Sequence, residues 1–267
     1  MYAFEYHRPA SIRQAASLAR KLADSRLIAG GQSLIPALKL RLSRAAALID
    51  LNDLPELRGI SVVGANLVIG ALTRHAEVAA SKDVQAALPM LAKVAANIGD
   101  RQVRNMGTLG GSLANNDPAA DYPAAVLGLG ATITTNKRDI AADKFFKGLF
   151  ETALRPGEII TSVAFPLVKR AAYVKFRNSA SRFALVGVCV AETATGVRVA
   201  VTGAASCVFR AKKMEKALAA GFAASALTRI KVPADKLNSD LHANAEYRSH
   251  LITVIAQRAV EAALAGK

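Results

Sequence analysis

Residues Arg101–Pro123 read RQVRNMGTLGGSLANNDPAADYP, and the interpretation of the whole chain depends on this stretch. It combines three glycines with small hydroxyl or amide side chains and two carboxylates. These residues are Gly107, Gly110, Gly111, Thr108, Ser112, Asn115, Asp117 and Asp121. Glycine lacks a Cβ and tolerates positive φ, so backbone N–H groups in such a loop can approach an anion closely. Hydroxyls and amides can donate to phosphate, and carboxylates can accept from ribose or ribityl hydroxyls. We therefore predict a ligand-binding loop here.

The stretch Ala29–Leu34, AGGQSL, is a second glycine-rich loop, directly after the apolar run Leu27-Ile28. Taken alone, this glycine pair is about as well explained by a plain connection after a strand. The presence of the central loop favours the binding interpretation. Two such loops, far apart in sequence, predict a diphosphate held from two sides.

Composition excludes several classes of protein. With 267 residues and 52% hydrophobic content, the chain can bury a core and divide into two domains. No apolar run is long enough to span a bilayer, and the start lacks the pattern of a signal peptide, so we expect a cytoplasmic protein. Cys189 and Cys207 have no CxxC spacing, which excludes an iron–sulphur cluster or a structural zinc.

The net charge is +15, but the basic residues are scattered and no aromatic residues interleave with them to stack bases. We therefore expect no nucleic-acid binding and interpret the charge as a solvated surface, suited to an acidic partner subunit. The four histidines lie outside both glycine loops, and we expect surface or capping roles for them: His7, His75, His242 and His250.

The pattern of elements predicts an α+β protein. A helix after Ser11, a strand at Arg26–Ala29 and another at Ala47–Leu51 form a first lobe. A hairpin, helices and further strands follow, without the GxGxxG of the usual dinucleotide fold. Three β-rich runs from Tyr173 onward and two helices then predict a small domain with an antiparallel sheet. We place the boundary near Leu167–Arg170.

Six segments, in this order and at compatible spacing, resemble the FAD-binding medium subunit of the molybdenum hydroxylases, the xanthine dehydrogenase and aerobic carbon monoxide dehydrogenase family. They are AGGQSLIPALKLRL, LIDL, VIGALTR, QVRNMGTLGGSLANNDPAADYPAAVLGLGA, PGEII and YVKFR. The resemblance covers nearly the whole chain. It implies a two-lobed FAD-binding domain of the vanillyl-alcohol-oxidase (PCMH) type at residues 1–168, with lobes of about 1–54 and 55–168. A C-terminal domain of the carbon monoxide dehydrogenase flavoprotein type then occupies residues 169–267.

The resemblance also implies the residues that contact FAD. Those of the two pyrophosphate loops are Ala29, Gly30, Gly31, Gln32, Ser33 and Leu34, then Thr108, Leu109, Gly110, Gly111 and Ser112. Those along the rest of the cofactor are Ile98, Gly99, Asn115, Asp121, Ile160 and Lys175, with Asp121 at the ribityl hydroxyls and Lys175 beside the flavin ring. Where some relatives carry an acid and a shielding tyrosine, this chain has Ser181, Arg182 and Phe183.

From the residues alone, other interpretations remain for several of these positions. Asp121 precedes Tyr122-Pro123 and is about equally well explained as a helix N-cap. Lys175 in a strand would ordinarily be a solvated edge lysine, and Ile160 a core residue.

The resemblance implies non-covalent FAD that takes electrons from [2Fe–2S] clusters on a small subunit and passes them to an external acceptor. Molybdopterin would lie on a large subunit, in a dimer of heterotrimers, and this chain would supply no catalytic residue and no metal ligand. Two alternatives remain open: a stand-alone flavin oxidoreductase, and a flavin-free paralogue that acts as an assembly or scaffold subunit.

Overall fold

A computed structural model describes residues 1–266. The first lobe is a three-stranded parallel sheet, ordered β1-β3-β2, with helices against it. Its elements are β1 (Glu5–His7), α1 (Ile12–Lys21), β2 (Ser25–Ile28), α2 (Leu34–Lys39), β3 (Ala47–Asp50) and a 3₁₀ turn at Pro55–Leu57. Ser11 caps α1 by accepting from the N–H of Gln14, as the sequence predicted, and Ala15 and Ala16 face the core.

The second lobe is built around a five-stranded antiparallel sheet, ordered β4-β5-β10-β6-β7. In chain order, its elements up to α8 are β4 (Ile60–Val63), β5 (Asn66–Gly70), α3 (His75–Ala80), α4 (Lys82–Ala87), α5 (Pro89–Ala96), α6 (Arg101–Met106), α7 (Leu109–Asn115) and α8 (Tyr122–Leu129). Those after α8 are β6 (Thr132–Thr135), β7 (Asp139–Ala141), α9 (Ala142–Phe145), β8 (Phe146–Gly148), β9 (Glu151–Thr152) and β10 (Ile160–Pro166). Helix α8 is buried along its whole length, so it forms the centre of this lobe.

The central glycine-rich stretch is mostly helical, which corrects the prediction of one loop. Asp100 caps α6, Thr108 caps α7, and Gly110 and Gly111 lie in the first turn of α7. The expectation that its glycines serve positive φ is wrong, because Gly107, Gly110 and Gly111 all have ordinary φ values. They are needed for close packing instead: a Cβ on Gly110 would lie 2.6 Å from the Cβ of Ala71.

The third part of the chain is a four-stranded antiparallel sheet, ordered β11-β12-β13-β14, with helices on one face. Its elements are β11 (Arg170–Arg177), β12 (Ala184–Thr193), β13 (Gly196–Thr202), β14 (Phe209–Arg210), α10 (Lys212–Ala220), 3₁₀ turns at Ala224–Leu227 and Ala234–Lys236, and α11 (Ala245–Leu264). One face of the sheet packs on α11, and the other, through Cys189 and Ala200, joins the core around α8. The third part is therefore packed directly against the second lobe.

Candidate functional site

A large cavity opens where all three parts of the chain meet. Its volume is about 1170 Å³, above the ~300–1000 Å³ of typical small-molecule pockets, so it has room for an extended ligand. The first lobe contributes the loop 29–34, the second lobe contributes α7 and the strand residue Ile160, and the third part contributes residues 180–183.

The loop Ala29–Leu34 presents a row of free backbone donors to the cavity. Within residues 1–266, the N–H groups of Gly30, Gly31, Gln32, Ser33 and Leu34 donate to no other group of the protein. Gly31 has φ +70°, a value that a side chain would oppose. The side chain of Asn52 fixes the start of the loop by donating to the carbonyl of Ala29 at 2.9 Å. Successive unpaired N–H groups of this kind form an anion-binding concavity.

The two glycine-rich segments touch each other directly. A Cβ on Gly30 would lie 2.0 Å from the carbonyl oxygen of Met106 and 2.8 Å from the Cα of Gly107. Because no larger residue fits at position 30, the first lobe can pack this closely against the second only with glycine there. The cavity wall therefore runs without a gap from one segment to the next.

The start of α7 contributes side chains to the cavity, whereas we had expected N–H groups. The N–H of Leu109 donates to Thr73, that of Gly110 donates to Ala71 at 2.8 Å, and that of Gly111 donates to Thr108 Oγ1 at 3.1 Å. The side chains of Ser112 and Asn115 line the cavity and make no hydrogen bond to another residue in the described chain. The cavity lining thus combines the backbone donors of the loop 29–34 with a hydroxyl and an amide of α7.

Asp121 places a carboxylate in the cavity wall. It begins α8, but its side chain makes no capping hydrogen bond. Its Oδ1 accepts from the Tyr173 hydroxyl at 2.5 Å, and its Oδ2 accepts from Lys175 Nζ at 2.9 Å. Burial raises the pKa of Asp121 above its ordinary value, and the charge of Lys175 and the Tyr173 hydrogen bond oppose that rise. Asp121 therefore lines the cavity, and its side chain does not cap α8.

Lys175 is buried, which corrects the expectation of a solvated edge lysine from its strand position alone. Its side chain is only 9% exposed and reaches across to the second lobe, where Nζ also donates to the carbonyl of Asn97 at 3.0 Å. Of the predicted cofactor contacts, only Lys175 and Leu109 are absent from the described lining of the cavity, and Leu109 is fully buried in the core. All the others line the cavity. Lys175 itself stands behind Asp121.

His75 lines the cavity, and the expectation of a surface or capping role is wrong for it. The side chain is buried beside Tyr122, with ring centroids 5.3 Å apart, and its Nδ1 has no partner in the described chain. Burial, with a contribution from the charge of Arg104, lowers the pKa of His75 to about 4, so the imidazole is neutral at pH 7. No local sequence signal marked it, because Gly107, which leaves room for its ring, is 32 residues away.

Three exposed apolar side chains stand at the rim of the cavity: Leu42, Phe150 and Phe183. Each lies on or next to a residue with positive φ, namely Arg41 at +58°, Phe150 itself at +53° and Arg182 at +63°. Left-handed backbone at residues other than glycine costs about 1–3 kcal/mol and is concentrated at functional sites. The segment Ser181–Phe183 therefore forms part of the rim.

Residues 1–266 contain neither a metal-binding cluster nor a membrane-spanning helix. No group of three or more His, Cys, Asp and Glu side chains there is arranged to hold a metal ion. Nor does any helix there have the length and apolarity to cross a membrane.

One cavity is lined by free N–H groups, a hydroxyl, an amide and a buried carboxylate, which together fit a long ligand with phosphates and hydroxyls. The fold and cavity thus define a two-lobed nucleotide-cofactor-binding protein with an appended α+β domain. Residues 2–168 match the family described as the FAD binding domain in molybdopterin dehydrogenase. Residues 171–263 match the CO dehydrogenase flavoprotein C-terminal domain. The chain belongs to this family of FAD-binding oxidoreductase subunits.

Several relatives align over nearly their full length. The chain is 36% identical to the carbon monoxide dehydrogenase medium chain of Hydrogenophaga pseudoflava, over 98% of this chain and 97% of that one. It is 35% identical to the nicotine 6-hydroxylase medium subunit of Paenarthrobacter nicotinovorans, over 97% and 96%. Among solved structures, the reconstituted CO dehydrogenase from Oligotropha carboxidovorans matches with a TM-score of 0.92 and 34% identity, covering 100% of this chain and 99% of that one. The predicted family and fold class are confirmed.

Proposed function

We propose that this chain is the FAD-carrying electron-transfer subunit of a molybdenum hydroxylase complex. The observation that carries the proposal is one cavity lined both by residues 30–34, whose N–H groups have no partner within residues 1–266, and by Ser112, Asn115 and Asp121. Bound FAD would supply the redox chemistry that links [2Fe–2S] clusters on a partner subunit to an external acceptor. The protein's own part is to bind the cofactor, orient it and limit the access of water.

We assign the FAD contacts to the predicted residues that line the cavity. They are Ala29, Gly30, Gly31, Gln32, Ser33, Leu34, Ile98, Gly99, Thr108, Gly110, Gly111, Ser112, Asn115, Asp121 and Ile160. The free N–H groups of the first loop would bind the diphosphate. Asp121 would accept from ribityl hydroxyls, and Lys175 would act through Asp121. Leu109 would act only through core packing beneath α7.

The proposal includes a division of labour among subunits. The names of the two relatives above refer to different substrates, carbon monoxide and nicotine. This chain is nearly equally identical to both, at 36% and 35%. Substrate choice therefore fits a separate subunit better than this one. We propose a large subunit with molybdopterin and a small subunit with [2Fe–2S] clusters as partners, assembled as a dimer of heterotrimers.

Two further parts of the proposal concern domains and location. We propose a domain boundary at 168/169, with lobes of about 1–54 and 55–168, and the separate family matches at 2–168 and 171–263 support it. We propose a cytoplasmic location because Cys189 and Cys207 are both free thiols, which suits a reducing compartment. Cell fractionation would check the location.

The first experiment measures FAD binding by the purified full chain. The loop 29–34 and α7 contain no histidine or cysteine, and His75, which lines the cavity, is buried beside Tyr122. We therefore expect acid precipitation to release all flavin into the supernatant. Inorganic pyrophosphate should compete with FAD, because the proposed loop binds the diphosphate. Flavin that stays with the pellet would contradict non-covalent binding, and a chain that binds no FAD would contradict the proposal.

A glycine substitution tests the loop itself. In Gly30→Ala the new methyl would lie 2.0 Å from the Met106 carbonyl, so the two segments must separate, and FAD affinity should fall by more than about tenfold. Gly221→Ala is the matched control, because a Cβ there meets nothing within 4 Å. Equal FAD affinity in the two variants would contradict the assigned loop.

A further inference from the structure

Two side chains of the third part hold the Asp121 carboxylate at the cavity wall. Tyr173 and Lys175 are two positions apart on β11, so both project from the same face of the strand. The Tyr173 hydroxyl donates to one carboxylate oxygen at 2.5 Å, and Lys175 donates to the other at 2.9 Å. An ionised carboxylate has about four lone-pair sites, so acceptor capacity remains for a ligand in the cavity that Asp121 lines.

The Tyr173 hydroxyl lies against Gly187, which has no side chain. Gly187 lies on β12, in the neighbouring strand, where a Cβ would be 2.2 Å from the hydroxyl oxygen and 2.8 Å from the ring carbon that bears it. Real Cβ atoms do not approach so closely, so any other residue at 187 would push the phenol away. Gly187 therefore leaves the space that allows Tyr173 to reach Asp121.

The same sheet also fixes the backbone that leads into Asp121. Thr202, which pairs with Gly187 across the sheet, has its Oγ1 2.9 Å from the carbonyl oxygen of Pro118 and 2.8 Å from that of Ala120. The N–H of Gly203 donates to the Pro118 carbonyl at 2.7 Å. Both the backbone and the side chain of Asp121 are thus held by the third part of the chain.

We propose that Tyr173 is a positioning residue of the cofactor site, whose hydroxyl, in the space that Gly187 leaves free, orients the Asp121 carboxylate towards hydroxyl groups of the bound ligand. The inference rests on the proposed function, because it takes that ligand to be FAD with its ribityl hydroxyls. A lysine ammonium is a point charge that fixes one oxygen. A second donor on the other oxygen prevents the carboxylate from rotating about its bond to Cβ.

The Tyr173 hydroxyl also favours the ionised form of Asp121, because it donates to the carboxylate. The titratable groups that face Asp121 are Tyr173 and Lys175 of β11 and Tyr122 of α8, and Cys189 of β12 lies beyond Tyr173. Loss of the hydroxyl should raise the pKa of Asp121 further. A ligand that needs the ionised acceptor would then lose affinity at a higher pH than with the unaltered protein.

The test measures the FAD dissociation constant of the full chain across a pH series, for wild type, Tyr173→Phe and Gly187→Ala. Tyr173→Phe removes one oxygen and Gly187→Ala displaces it, so the two variants disturb the same contact in different ways. Each should bind FAD about tenfold more weakly at neutral pH. In each, the midpoint at which affinity falls with decreasing pH should move upward. Tyr247→Phe is the matched control, since Tyr247 is exposed on α11 and does not line the cavity.

Thermal unfolding of the FAD-free proteins checks that the variants fold. Affinity and pH midpoint unchanged from wild type in either folded variant would overturn the positioning role. Weaker binding with an unchanged midpoint would overturn it as well, because simple loosening of the structure would not move a titration. A wild-type chain that binds no FAD would overturn the proposed function and this inference with it.

Discussion

Glu158 shows how one buried side chain makes stability depend on pH. It lines the cavity, and its carboxylate accepts from Arg138 Nε at 2.8 Å, from the Arg155 N–H at 2.9 Å and from the Thr135 hydroxyl at 3.0 Å. The hydrogen bond from Arg138 is the largest cause that lowers the pKa of Glu158 to about 2, and burial opposes it. A carboxylate with a lowered pKa stabilises the folded state while it is ionised.

The pKa of Glu158 predicts acid sensitivity in a defined window. The stabilisation is fully present above the ordinary pKa of 4.5 and is lost as pH falls through about 2. Glu158→Gln should lower the free energy of unfolding by about 2 kcal/mol at pH 7 and reduce its dependence on pH between those values. Urea unfolding across pH measures both, with exposed Glu246→Gln as the control. An unchanged pH dependence in Glu158→Gln would contradict this account.

Among the secondary-structure elements, α7 connects helix stability to ligand binding. Thr108 caps it by accepting from the N–H of Gly111, and the same residue lines the cavity. Loss of an N-cap hydroxyl typically costs about 1 kcal/mol. In α1, Ser11 makes an equivalent cap to Gln14 and does not line the cavity. Comparing substitutions at the two caps therefore distinguishes an effect on helix stability from an effect on ligand binding.

We predict that Thr108→Ala and Ser11→Ala each lower the free energy of unfolding by about 1 kcal/mol. Only Thr108→Ala should also weaken FAD binding, because it releases the turn that presents Ser112 to the cavity. Denaturant unfolding of the FAD-free proteins and FAD titration give the two quantities independently. FAD affinity that falls equally in both variants would show that the effect is general destabilisation.

Sequence patterns within a few residues predicted many of the helices and strands. The elements that were not predicted depend on contacts between residues far apart in the chain. The helix after Ser11, the hairpin at residues 60–70 and the strands from Tyr173 onward follow from caps, turns and alternation within a few residues. The helix at Leu109–Asn115 was missed because two glycines disfavour helix, and a contact with Ala71 that needs Gly110 outweighs that preference. Tyr173 was missed because its partner, Asp121, is 52 residues away.

At the scale of the whole molecule, the cavity depends on three separate parts of the chain. The first lobe supplies free donors, the second supplies α7 and the Asp121 backbone, and the third holds that carboxylate through β11. Two ion pairs also tie the third part to the second lobe, because Arg198 and Arg210 both bind Asp143 of α9. The third part of the chain therefore forms part of the cavity lining and also supports Asp121.

The last prediction concerns assembly and follows from net charge. The chain has 35 Lys and Arg residues against 20 Asp and Glu, a formal charge of +15. Opposite charges on a partner accelerate association by about 10–10³-fold, and salt removes this effect. The Debye length falls from about 10 Å at 0.1 M to about 3 Å at 1 M ionic strength. Association with the proposed partner subunits should therefore slow by at least about tenfold over that range.

Stopped-flow mixing of the FAD-loaded chain with its partner subunits at several salt concentrations measures this rate. The dissociation rate is the internal control, since it depends mainly on short-range contacts and should change much less. The reconstituted complex should bleach the flavin when substrate is added, whereas the lone chain should not, because the proposed division of labour places substrate oxidation on the large subunit. An association rate independent of salt would contradict electrostatic docking. Bleaching of the lone chain by substrate would instead indicate a stand-alone oxidoreductase.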